Sequence, residues 1–149
     1  MPLEITEAPI KLMQEVHEDN ERFHAFSSIV FNDMFVIRDL KILEGTAGLF
    51  VAMPSKKLTD HCPYCGSKAQ LLARFCSQCG ERLAKNRASR REDGRLRLYA
   101  DIAHPIHPLM RELIEAVVLD AYHQELARAS RSGYVCRYDD PSKNSTPLT

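Results

Sequence analysis

Apolar residues alternate with polar ones in the first third of the chain and again near residue 100, with an interruption between. Residues 3–13 set Leu3 and Ile5 on one face, break at Pro9, and resume with Ile10 and Leu12. A period of two predicts a strand, and a proline that cannot donate to a ladder puts it at a sheet edge. Residues 14–22 are polar and acidic and predict a loop. The runs FHAFSSIVF (23–31) and MFVIRDLKIL (34–43) flank Asn32-Asp33, a two-residue link suited to a hairpin. Gly45 and Gly48 bracket the next turn, and GLFVAMP is a short strand ended by Pro54. From Ser55 to Gly94 the alternation is absent. It returns at 95–102, with Arg95, Arg97 and Tyr99 on one face and Leu96, Leu98, Ala100 and Ile102 on the other, and HPIHP (104–108) stops it.

Residues 108–129 change period. Met110, Leu113, Ile114, Val117, Val118, Ala121 and Tyr122 recur at spacings of three and four, which predicts a helix with these residues in its core face. Pro108 suits the first helical position and Gly133 a terminator, with Arg128 and Arg131 near the negative end of the helix dipole. The order β-β-β-β, insert, β, α predicts an α+β fold: a small antiparallel sheet with a C-terminal helix, interrupted by an insertion in the loop before the last strand. The expected organisation is a discontinuous domain at 1–57 and 93–133, an insertion at 58–92, and a disordered tail at 134–149, polar and proline-containing from 139 onward.

The chain of 149 residues is 44% hydrophobic, enough for a packed core, and its 20 basic and 20 acidic residues cancel. The cancellation is not local. Residues 1–24 carry Glu4, Glu7, Glu15, Glu18, Asp19 and Glu21 against Lys11 and Arg22. Residues 82–97 carry Arg82, Lys85, Arg87, Arg90, Arg91, Arg95 and Arg97 against Glu92 and Asp93. No stretch reaches the ~18 apolar residues of a membrane span, and the N-terminus has acids where a secretory signal has a basic region. A cytoplasmic location is expected, where thiols stay reduced.

The thiols lie mostly in the interruption. Cys62 and Cys65 form one C-x-x-C, Cys76 and Cys79 a second, and Gly66 and Gly80 follow them. Two intervening residues let a tight turn aim both sulfurs at one ion, and glycine admits the positive φ such a turn needs. Two such knuckles offer four soft ligands, the closed tetrahedral set of structural zinc. Rubredoxin-like iron, a redox pair and plain disulfides are the competing readings. Four thiolates leave no open position for a catalytic water. The 61–84 stretch resembles the short zinc-ribbon family, which implies a bound metal and, by itself, no particular function. A module this short lacks a core of its own, so metal binding would supply its folding free energy. Cys136 reads as a free thiol in the tail, and His61 as a bystander beside four sulfurs.

With the insertion set aside, the flanks carry 35-FVIRDLKILEG-45, 49-LFVAMPSKK-57, 101-DIAHPI-106 and 122-YH-123. These segments resemble the stage V sporulation protein G family of bacterial septation regulators, from about Leu3 to His123. The resemblance implies an antiparallel sheet, a C-terminal helix, a homodimer, and binding of DNA, and in some members RNA, in a regulatory role. It implies no catalysis, and no nucleophile–base pair or open metal site is visible in the sequence. Lys56 and Lys57 fall on the family's basic pair, and Arg111 on a basic residue at the helix start. The sequence departs there: a second basic position is Leu113, and the start of the helix is apolar. The insertion can replace that lost charge, because Arg82, Lys85, Arg87, Arg90, Arg91 and Arg95 suit phosphate contacts. The expected function is a zinc-stabilised nucleic-acid-binding regulator; the alternative is a zinc-ribbon module that docks a protein partner in septation. Phe75 and Tyr99 read as packing residues, since no aromatic ladder of the single-strand-binding type is present. His104 is expected to bond backbone at the entry to the helix.

Overall fold

The computed structural model describes residues 2–13 and 22–138; most of the expected acidic loop at 14–22 and the tail from 139 lie outside them. The described chain is α+β and forms two compact units. Unit 1 comprises the chain up to Pro54 and from Ala103 onward; unit 2 is Ser55–Ile102. The boundaries expected at 58 and 92 therefore move outward to Ser55 and Ile102.

Unit 1 is an antiparallel sheet with one helix. Its strands are β1 (Ile5–Glu7), β2 (Ile10–Leu12), β3 (Phe23–Phe31), β4 (Phe35–Gly45) and β5 (Gly48–Ala52). The order is β1-β3-β4-β5, with β2 also paired to β3. Pro9 separates β1 from β2 on that outer flank, where its missing N–H costs no ladder bond, and its carbonyl accepts from the Ser28 N–H. Asn32 and Asp33 both take positive φ, 51° and 53°, and the Met34 N–H closes the turn on the Phe31 carbonyl. Two successive left-handed residues make a turn whose twist matches its flanking strands, which is why Asn-Asp works here.

The helix α1 spans Pro108–Ala129. Its N-cap is His107, whose Nδ1 accepts the Leu109 N–H; the capping histidine is therefore His107, where His104 had been expected to bond backbone. The helix packs across β2, β3 and β5. Ile114, Val118 and Tyr122 join Ile10, Ala25, Ile29, Leu40, Ile42 and Val51 in one buried cluster, each large aliphatic side chain contributing about 1.5–3 kcal/mol by leaving water. Leu113, expected in that face, is 42% exposed: it lies to the side of the buried stripe of Ile114, Val118 and Tyr122.

Residues 134–138, expected as the start of a free tail, return to the sheet. Tyr138 is buried; its hydroxyl lies 2.8 Å from Ser28 Oγ and donates to Asp39 Oδ1 at 3.3 Å. Ser28 and Asp39 are presented by an irregularity in the β3–β4 ladder, where the register shifts between Ser27 and Ile29 and Asp39 takes φ 63°.

Unit 2 contains three strands that the sequence pattern did not predict, β6 (Ser55–Lys57), β7 (Thr59–His61) and β8 (Lys68–Gln70), and a fourth, β9 (Tyr99–Asp101). The strand expected at 95–102 shortens to β9, which pairs with β6 in a ribbon of its own rather than joining the main sheet. The alternation survives up to residue 100: Arg95, Arg97 and Tyr99 are exposed and Leu96, Leu98 and Ala100 half-buried, but Ile102, expected on the apolar face, is exposed.

Candidate metal centre and basic surface

Each C-x-x-C sits at the tip of a short hairpin. β7 and β8 carry the first knuckle, with His61 opposite Lys68. An isolated bridge between Phe75 and Arg82 carries the second. The backbone repeats itself fourteen residues apart: Cys62 N–H donates to Ser67 O and Gly66 N–H to Cys62 O, then Cys76 N–H to Glu81 O and Gly80 N–H to Cys76 O. Both glycines take φ 77°, which a side chain would strain.

The repeat brings the sulfurs together. Cys62 Sγ lies 3.7 Å from Cys79 Sγ, Cys65 Sγ lies 3.6 Å from Cys76 Sγ, and all four fall within 4.8 Å of one another. Disulfides would need about 2.05 Å. Four ligands 2.3 Å from a zinc ion stand about 3.8 Å apart, so the donor set fits a tetrahedral thiophilic ion. The thiols also differ electrostatically. Hydrogen bonds from the Ser67 side chain and N–H lower the Cys65 pKa to about 6, and the Cys79 and Gln78 N–H groups lower that of Cys76. Cys79 also accepts a bond, from the Glu81 N–H, but burial and the three neighbouring sulfurs prevail and push it up to about 12. A divalent cation removes that conflict by stabilising all four thiolates together. The module's own buried cluster is only Cys62, Ala69, Cys76 and Leu83, with Ala73 against it; half of it is ligand. His61 Nδ1 bonds Gly66 O and sets the knuckle rather than joining the sulfurs.

The basic residues divide into two groups. Arg87 is structural. Its Nη1 pairs with the Asp60 carboxylate, its Nη2 donates to Gln70 O and Ala73 O at 2.8 Å each, and its Nε donates to Ala84 O at 3.0 Å. Only 12% of its side chain is exposed. It ties β7, the end of the β7–β8 hairpin and the segment after the second knuckle together, and has no face left for a phosphate. Lys56, Lys57, Arg82, Lys85, Arg90, Arg91 and Arg95 are exposed. Arg90 donates to Gly94 O, and with Arg91, Arg95 and Arg97 it belongs to a small hairpin closed by an Arg90–Leu96 bridge. Arg111, also exposed, belongs to unit 1.

Charge segregates with the units. Unit 2 holds eleven Lys and Arg against five Asp and Glu, a formal +6, while the remainder holds nine against fifteen. A divalent ion with four thiolates carries −2, leaving the metallated unit at about +4. Phe75 and Tyr99, expected to pack, are 60% and 48% exposed on this unit. On unit 1 the exposed apolar residues include Ile106 at 93% and Leu109 at 68%, flanking the start of α1. Among the described residues no helix is long and apolar enough to cross a membrane.

These features define a small α+β domain of antiparallel sheet and C-terminal helix, interrupted by a basic hairpin module with a four-cysteine centre. The SpoVG family model matches residues 3–124, and the chain belongs to that family. It is 37% identical over 111 residues to a protein of Bdellovibrio bacteriovorus that bears the name septation protein SpoVG, covering 74% of this chain and 68% of the relative. A Finegoldia magna protein of the same name is 34% identical over 86% of this chain and 82% of its own length. One from Anaeromyxobacter is 30% identical over 93% of this chain and its own full length. The family match carries the α+β frame and the association with septation; the metal centre rests on the sulfur geometry.

Proposed function

We propose that this chain is a cytoplasmic, homodimeric regulator of the septation type that binds nucleic acid through its zinc-held insertion. Zinc on Cys62, Cys65, Cys76 and Cys79 would close the two knuckles and fix the arm. Lys56, Lys57, Arg82, Lys85, Arg90, Arg91 and Arg95 would neutralise phosphates, with Arg111 as the residual family contact. The observation that carries the reading is the charge segregation: a unit at +6 within a chain of net zero is built for a polyanion. Backbone contacts would dominate affinity, and each neutralised phosphate releases counterions. A mobility shift with total DNA and RNA across salt concentrations tests it. Binding should weaken steeply with salt, and replacing Lys56, Lys57, Arg90 and Arg91 by glutamine should flatten the log–log slope by about 3.6 on duplex. No shift at low salt, or an unchanged slope, refutes the proposal.

The second reading is a protein contact. The exposed Ile106, Leu109 and Leu113 at the start of α1 favour it, and with the outer edge of β5 they support a homodimer. Leu109→Glu followed by sedimentation tests this: the dimer should dissociate if the helix start forms its interface.

A further inference from the structure

Two exposed rings on unit 2 each stand opposite an exposed cation. Phe75 is the bridge partner of Arg82, and Tyr99 is the register partner of Lys57. The flanking backbone bonds say which kind of pair each is. Cys76 N–H donates to Glu81 O and Leu83 N–H to Arg74 O on either side of Phe75–Arg82; Leu58 N–H donates to Leu98 O beside Lys57–Tyr99. The opposed residues in both places exchange no bonds themselves, so these are the narrow pairs of an antiparallel ladder, with side chains on one face and Cβ atoms about 4.5–5.5 Å apart. Neither ring is used in the small core of the unit, which is made of Cys62, Ala69, Cys76 and Leu83. Tyr64, Leu72 and Ile102 are exposed on the unit as well, but what sets Phe75 and Tyr99 apart is the cation opposite each, a ring and a charge side by side and open to a ligand.

We infer that Phe75 and Tyr99 are stacking platforms for the bases of a single-stranded nucleic acid, with Arg82 and Lys57 taking the adjacent phosphates. The inference rests on the proposed nucleic-acid function and sharpens its substrate from polyanion in general to unpaired strand. A duplex keeps its base faces stacked on one another and offers a ring only groove edges and backbone, no open π-face. A single strand offers a π-face and a phosphate together, at the spacing a side-by-side ring and cation can meet. The charge of the unit excludes a basic partner and leaves an acidic polypeptide as the competing ligand; it would satisfy the cations but not the rings.

The chain contains no tryptophan, which gives a direct probe. Phe75→Trp, checked for bound zinc and retained fold, carries a unique fluorophore excited apart from tyrosine. Titration with about 20-nucleotide oligo-dT and oligo-U should quench it, whereas polyglutamate and a duplex of equal length should leave it unquenched. In anisotropy experiments, Phe75→Leu and Tyr99→Leu should each cost about fivefold to a hundredfold in single-strand affinity while the salt slope stays at the wild-type value, because no charge has changed. Arg82→Gln and Lys57→Gln should instead each flatten that slope by about 0.7. Single-strand binding without quenching, with ring variants within twofold of wild type, overturns the stacking role and leaves the nucleic-acid function standing. So does tighter binding to duplex. Polyglutamate binding as tightly as the oligonucleotides marks a merely cationic surface and overturns it too. No binding to either nucleic acid at low salt overturns both.

Discussion

Replacing Arg87 separates a structural cation from a ligand-binding one. Arg87→Ala removes an ion pair with Asp60 and three bonds to the carbonyls of Gln70, Ala73 and Ala84. Asp60 is 36% exposed, so water compensates much of that pair and it is worth about 1 kcal/mol. The bonds to Ala84 O and Gln70 O are exposed and that to Ala73 O is part-buried, so losing these charge-assisted bonds, with partial rehydration, costs about 2 kcal/mol more. The total of about 3 kcal/mol rivals what burying Leu83, the largest side chain of the module's core, contributes. Such a module folds with its metal, so the loss should surface as metal affinity: about a hundredfold weaker zinc in competition with a chromophoric chelator. Arg87→Lys keeps the charge but has one nitrogen where the guanidinium has three, and cannot span four acceptors on separate segments. It should lose more than half of the same affinity. If both variants hold zinc within twofold of wild type, while nucleic-acid binding falls in Arg87→Ala and survives in Arg87→Lys, Arg87 is a phosphate contact and the structural assignment is wrong.

Cys65→Ser, or chelation of the wild type, should unfold unit 2 and spare unit 1: amides of Thr59–His61 and Lys68–Gln70 lose hydrogen-exchange protection while those of β3 and β4 keep theirs. Acidification should release the metal as well, since protons compete for the thiolates; equal zinc retention at pH 7 and about pH 4 would count against a thiolate site. Tyr138→Phe leaves buried Ser28 and exposed Asp39 without their shared hydroxyl, and should lower unit 1 stability by about 1–2 kcal/mol in chemical denaturation. Burial alone would raise the Glu125 pKa, but bonds from Arg128 and Tyr134 and the charges of Arg128 and Arg137 hold it below its ordinary value of 4.5. A depressed folded-state pKa gives stability that is present above the unfolded value and lost as pH falls through the folded one; the gap between wild type and Glu125→Gln should therefore close between about pH 5 and pH 3.

What the sequence made legible follows from the length of each element. A helix of 22 residues repeats its apolar period several times and is flanked by Pro108 and Gly133, so its limits could be read directly. β3 and β4 are nine and eleven residues long and meet at a turn whose residues accept positive φ. β6, β7 and β8 have three residues each, fewer than two periods of alternation. The pairing of β7 with β8 closes around the first knuckle, and no pattern in Thr59–His61 announces it. The C-x-x-C spacing could be read as a clamp because it encodes local geometry: both knuckles repeat the same backbone bonds with the same left-handed glycine. Arg87 could not be told from its neighbours, because what distinguishes it is the Asp60 carboxylate and the Gln70 and Ala73 carbonyls, 14 to 27 positions away. Tyr138 was hidden for the same reason. It lies 110 positions from the serine it meets, across a ladder irregularity that alternation does not reveal.

The neutral composition was the most misleading number in the chain, and electrostatics explains why. A unit of 48 residues has a radius of gyration of about 10 Å. The Debye length at physiological salt is about 8 Å. Charges beyond one unit's own dimensions are thus largely screened from a ligand at its surface, and the field that ligand meets is set by the unit it touches. For unit 2 that field comes from a formal +6, which a divalent ion on the four thiolates would reduce to about +4, and not from a chain total of zero. The acidic remainder balances the sum without cancelling the local potential. On the proposed function, an insertion of this kind adds a polyanion-binding arm to a domain whose own helix start exposes apolar Leu109 and Leu113.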